Sequence, residues 1–160
     1  MYRAQVYYQL GALWQEIANS IHHRVDSDGP NDWNSLRSYY DATGEVYVSD
    51  LNCESSIYGI EGNLSFRVVH DWIHLTWGID FTDEGERHVA RIQSSMAESR
   101  LGADARNVTW FDTYGQVLFR QIHGDFPKDQ SFFVDRCILH LENGTRRDDA
   151  ILSAINDHLF

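Results

Sequence analysis

Only two cysteines, Cys53 and Cys137, occur in 160 residues. Their spacing matches no metal-binding or redox motif, so a disulfide framework is not expected. Proline is confined to Pro30 and Pro127, which leaves long helices uninterrupted. No stretch approaches the roughly 18 apolar residues of a membrane span, and Met1-Tyr2-Arg3-Ala4-Gln5 has no apolar signal core; the expected location is the cytoplasm. Basic residues are outnumbered, 13 against 24 acidic, for a formal charge of −11. That balance excludes a general binder of nucleic acid, which needs a Lys/Arg surface, and fits a basic partner. Nucleophile elbow, phosphate-binding loop and dinucleotide fingerprint are all missing, and neither cysteine has activating surroundings.

Aromatic side chains make up 13% of the chain, enough to fill the core of one domain spanning residues 1–160. Val6, Leu10, Leu13, Ile17 and Ile21 recur at helical spacing and predict an amphipathic helix over 2–22. Ser27-Asp28-Gly29-Pro30-Asn31 breaks the chain, and a short helix over 32–42 ends at Gly44. Val46 and Val48 allow a short extended piece within the otherwise unassigned 45–62, though no sheet is expected. Helices are predicted over 63–77 with Gly78 as its stop, from Thr82 or Asp83 to Leu101, and over 107–123, 130–141 and 147–159. The fold class is all-α, a compact bundle of about six helices.

The helix over 63–77 is the informative one. At about 100° per residue, Asn63, Arg67, His70, Asp71 and His74 share an arc of roughly 100°, while nearly everything else on it is large and apolar. The strip contains no Lys and no Glu, the residues best suited to a solvated helix face, so an internal pocket is expected. His70 and His74 stand one turn apart and can converge on one divalent ion. Asp71 can join them as a ligand or orient an imidazole. Arg67 can pair with Asp71 or hold an anion. Glu86 and Gln93 lie on the same side of the next helix as Val89, Ile92 and Met96, where a carboxylate needs a partner, and Gly85 permits a close approach. Asp112 and Gln116 border the Val108/Phe119 face. The candidate metal ligands are therefore His70, Asp71, His74, Glu86 and Asp112, with His74, Glu86 and Arg67 as candidate catalytic groups. His22 and His23 suit the end of the first helix; His88, His140 and His158 are placed on outer faces.

Phe66-Arg67-x-x-His70-Asp71-x-x-His74, then Phe81-x-x-x-Gly85-Glu86, then Gly115-Gln116, resembles a signature of uncharacterised small bacteriophage proteins, over about residues 63–116. The resemblance implies a phage origin and marks residues without naming a reaction; Asp112 stands where that signature has a Glu. More distantly, the chain is similar to the HD-domain phosphohydrolases. That likeness implies an all-helical metal-dependent hydrolase with His70-Asp71 as paired ligands, Asp112 as the late carboxylate and His22 or His23 as the early histidine. Three functions follow as expectations. One is a metal-dependent enzyme, most specifically a hydrolase of a small phosphorylated substrate, with an iron oxidase on the same ligands as a variant. The others are an acidic inhibitor of a basic host protein, and a virion or assembly component.

Overall fold

Ala18 ends the first helix four residues earlier than the apolar periodicity predicts. Helix α1 spans Arg3–Ala18, and the Ser20 hydroxyl then donates to the Ile17 carbonyl at 2.7 Å, closing the last turn tightly. The structure is a computed structural model and describes residues 3–157; Tyr2, His158 and Leu159, included in the sequence-based expectations, lie outside the described residues. Beyond this early end, strand β1 (His23–Asp26) pairs in parallel with β2 (Val46–Ser49) in the register His23 to Val46. The small sheet was not expected. Its cause is tertiary: Val46, Tyr47 and Val48 are all buried, whereas β1 shows no alternating pattern.

Between the strands, α2 (Trp33–Thr43) starts on an Asp32 cap that accepts from the Ser35 amide at 2.9 Å and stops at left-handed Gly44. Helix α3 (Gly59–Trp77) begins a turn earlier than predicted, after Ser55 has accepted from the Ile57 and Tyr58 amides. It ends at left-handed Gly78, as expected. Thr82 caps α4 (Asp83–Leu101) by accepting from the Gly85 amide. Helix α5 (Ala103–Trp110) runs on through a π-helical turn, Phe111–Gly115, into α6 (Gln116–His123). Helices α7 (Gln130–Glu142) and α8 (Arg147–Asn156) close the described chain. Counting the α5–α6 rod once, seven helices surround one contiguous core among the described residues, and the fold is all-α.

α3 is the central rod and packs on α1, α4 and β2. Its approach to α1 is close because two glycines face each other. A Cβ on Gly62 would stand 3.3 Å from the Gly11 Cα. Trp14 on α1 is fully buried and meets the Phe66 ring edge-on at 5.8 Å. With Val68, Val69, Ile73 and Leu75 filling the core, the polar strip of α3 turns into a groove of about 1370 Å³, bordered also by the segment after β2, the start of α4, and the π turn with α6.

Candidate metal centre

His74 is completely buried, and His70 and Glu86 keep only about a fifth of their side-chain surface. The one-turn spacing on α3 brings the two imidazoles edge to face, Nε2 to Nε2 at 3.2 Å. Glu86, at the start of α4, reaches across to both: 3.1 Å from one oxygen to His70 Nε2 and 3.6 Å from the other to His74 Nε2. Three ligands held tetrahedrally at roughly 2.0–2.1 Å from one ion stand about 3.3 Å apart. The three groups thus have the mutual spacing of a metal's protein ligands, and their donor atoms all fall within 4.8 Å.

The hydrogen bonds on the far side of each ring sharpen this. His74 Nδ1 faces the backbone carbonyl of Ile79 at 2.8 Å; a carbonyl only accepts, so Nδ1 carries the proton and donates. His70 Nδ1 faces Gln93 Oε1 at 3.0 Å, while the Gln93 amide nitrogen donates to the Phe66 carbonyl at 3.5 Å. This fixes the glutamine's orientation and makes His70 Nδ1 a donor too. Both neutral imidazoles therefore present lone pairs at Nε2, toward each other and toward a carboxylate. Three acceptors without a donor repel unless a cation sits among them. In the ion-free protein that cation is a proton on His70. Burial opposes its charging, but the Glu86 hydrogen bond and charge prevail and raise the pKa to about 9. Burial likewise raises Glu86, yet its contacts with His70 and His74 hold it well below the usual carboxylate range. A divalent ion fits the same place, and the Nδ1 partners orient the imidazoles for it. Two imidazoles and a carboxylate suit zinc or ferrous iron. His70 and Glu86 line the groove, leaving one side open to a further ligand.

The structure gathers three of the five candidate ligands and leaves Asp71 and Asp112 out. Asp71 lies about 60° farther around α3 than His74, so its carboxylate borders the groove beside the centre. Burial pushes it up to about 6, against the pull of His70 and His74. Asp112 sits on the π turn, in a different wall; the rings of Phe66 and Tyr58 intervene, with His70–Phe66 centroids at 6.0 Å and Phe66–Tyr58 at 5.3 Å. Arg67 does not pair with Asp71. Its Nη1 donates to the Ser49 and Leu51 carbonyls at 2.9 and 2.8 Å and its Nη2 to that of Asn52, pinning the segment after β2 to the groove wall. Carbonyls carry no net charge, so the guanidinium is held there without a carboxylate in contact, and its charge acts on Asp71 only at a distance.

The early histidine implied by the HD-domain likeness is not supplied. His22 pairs with Glu45 at 3.3 Å and His23 bonds the Ile21 carbonyl, both outside the groove. His140 contacts Asp157 at 3.0 Å. Two residues that set the centre, Gln93 and Ile79, were not assigned a role by the sequence reading. Gln93 had a signal, because it follows Glu86 by two helical turns on the same face; Ile79 contributes only backbone and has none.

No family model, curated protein or solved structure matches the chain.

Gln93→Leu removes the acceptor that orients His70 while keeping volume. Metal affinity should fall by about 10–100-fold, the usual loss when such an outer partner is removed. Competition titration against a chromophoric chelator reads this directly.

Proposed function

We propose that the chain is a metal-dependent hydrolase whose divalent ion is held by His70, His74 and Glu86. The supporting observation is the convergence of three lone-pair donors, both imidazoles being turned inward by their own Nδ1–H bonds. An ion bound there supplies a water of lowered pKa and stabilises charge on a reacting oxygen.

In this reading His74 and Glu86 are ligands, so the proton-transfer role passes to Asp71. Its carboxyl borders the groove next to His70 and is pushed up to about 6 by burial, a range suited to taking a proton from an attacking water near neutral pH. A small phosphorylated substrate is the occupant we favour, on the strength of three cations in the wall. Arg67, Arg120 and Lys128 line the groove, and among the described residues none of them forms an ion pair with a carboxylate, although seven other arginines do. The same groove is also lined by Glu54, Asp71, Glu86, Asp112 and Asp125, so an anion would be held by these three cations and by the bound ion, not by the groove's net charge.

The test begins with elemental analysis of protein purified without a histidine tag. About one zinc, iron or manganese per chain is expected, falling below roughly a tenth in His74→Ala. The metal-loaded protein should hydrolyse p-nitrophenyl phosphate, and Asp71→Asn should slow turnover about 100-fold with metal content unchanged. Failure to bind any of these ions after metal-free protein is dialysed against them would overturn the reading.

A further inference from the structure

Along α3 the groove runs from Gly59 to Asp71, so the metal centre stands at one end of it. With His70 set at zero, Ile60 falls at about 80° around the helix and continues the strip of Asn63, Arg67, His70 and His74 toward the start of α3. The ten positions between them, at roughly 1.5 Å each, separate Ile60 from His70 by about 15 Å along the axis, with Arg67 on the way. The groove's volume of about 1370 Å³ exceeds the roughly 300–1,000 Å³ of ordinary small-molecule sites. A phosphate at the ion would fill a small part of it.

The far end presents apolar surface. Leu51, Ile60 and Phe126 are 57%, 53% and 46% exposed, and all three line this groove. Leu51 and Phe126 belong to two segments that are tied together. The Ser56 hydroxyl donates to Asp129 Oδ1 at 3.0 Å, and its oxygen accepts from the Ser131 amide at 2.9 Å. The polar side chains nearby are largely engaged in holding these segments. Gln130 Oε1 accepts from the Ser56 amide at 3.2 Å, Asn63 donates to the Cys53 carbonyl at 2.9 Å, and the Ser55 hydroxyl oxygen accepts from the Ile57 and Tyr58 amides. Glu54 and Lys128 are exposed, and such chains keep their charged heads in water. Phe126 also carries the Arg120 guanidinium over its ring at 5.1 Å. Large exposed apolar side chains gathered in one groove, rather than scattered singly, mark a surface that a ligand covers.

We propose that the groove takes an elongated phosphate monoester whose alcohol ends in an apolar group, seated on Leu51, Ile60 and Phe126 while the phosphate lies at the His70/Glu86 end. The inference deepens the hydrolase reading by naming the leaving alcohol's class, and it rests on that reading for the position of the phosphate. The apolar seat itself stands on the exposure of these three side chains and on the run of the groove along α3.

The experiment titrates ethyl phosphate, decyl phosphate and the similarly long but polar tri(ethylene glycol) phosphate into chelator-treated protein, followed by calorimetry and kept below the concentration at which decyl phosphate forms micelles. Decyl phosphate is expected to bind at about one molecule per chain and at least about thirtyfold more tightly than the other two, since each methylene moved from water onto an apolar wall contributes up to about fourfold. Ile60→Ser and Leu51→Ser each shrink that preference by about threefold or more, with melting curves confirming that both variants are folded. Equal binding of decyl and tri(ethylene glycol) phosphate overturns the proposal, as does a preference that both variants leave unchanged or a failure of decyl phosphate to bind. Ion content and turnover of p-nitrophenyl phosphate are measured separately. Protein that takes metal and hydrolyses p-nitrophenyl phosphate but shows no preference for the decyl chain keeps the hydrolase and loses this inference; protein with the preference and no metal loses the hydrolase and keeps the apolar seat.

Discussion

Glu86→Gln is expected to be destabilised by about 2–3 kcal/mol in chelator-treated protein at pH 7, and to bind metal more than about a thousandfold more weakly. Glu86 and the protonated His70 are an ion pair with about four-fifths of each side chain out of water. Without the carboxylate, burial makes His70 give up its proton, and the pair's contribution at pH 7 is lost. The pH dependence of the wild type shows the same coupling. His70 has its pKa raised to about 9 by folding, so its contribution is fully present below the unfolded value near 6.5 and is lost as pH rises toward 9. Glu86 is shifted the other way; its contribution is present above the unfolded value near 4.3 and is lost as pH falls below it. Denaturant melts of the metal-free wild type should therefore show this site contributing most between about pH 5 and 6.5. Glu86→Gln should flatten the alkaline limb. A variant as stable as wild type at pH 7, with the same pH profile, would show that no ion pair exists there.

Much of this centre was legible because helical periodicity and residue type agree. A helix apolar around most of its circumference must bury its remaining strip or turn it to water, and the absence of Lys and Glu from that strip favoured the enclosed outcome. The inward placement of Glu86 and Gln93 followed from their spacing with Val89 and Ile92. Sequence reasoning could not choose among the carboxylates. Asp71 adjoins His70 in sequence but lies off the line joining the histidines, whereas Glu86 arrives from another helix with its carboxylate between them. Helical angles describe one helix and not its neighbour's approach. That Arg67 would not pair with Asp71 was hidden for the same reason. Its partners are backbone carbonyls of residues 49–52, and main-chain acceptors leave no mark on composition. The β1–β2 pairing joins segments some twenty residues apart, one of them without an apolar pattern, and only tertiary burial of β2 explains it. The π turn likewise passes for ordinary helix, since its residues keep helical periodicity on either side.

Gly85→Ala should produce a large loss from the addition of a single methyl group. A Cβ at this position would overlap the Asp80 carbonyl oxygen and come within 3.0 Å of the Asp80 Oδ1. The obstacle is backbone, and it is held in place by its own contacts. Asp80 Oδ1 accepts from the Thr82 amide and hydroxyl at 3.2 and 2.6 Å, and the Thr82 hydroxyl oxygen caps the Gly85 amide. The first turn of α4 must therefore move away from the Ile79–Thr82 turn. Glu86 is the next residue in that turn and would move with it, while Ile79, whose carbonyl orients His74, lies on the other side of the displacement. Overpacking against fixed backbone commonly costs about 1–3 kcal/mol and sometimes more; here the upper part of that range is expected, read by chemical denaturation. Metal affinity should fall further than stability alone explains, because one ligand and one orienting carbonyl separate. Gly85→Ala with unchanged melting and unchanged ion content would mean that α4 does not approach Asp80 this closely, and the placement of Glu86 between the histidines would lose its support.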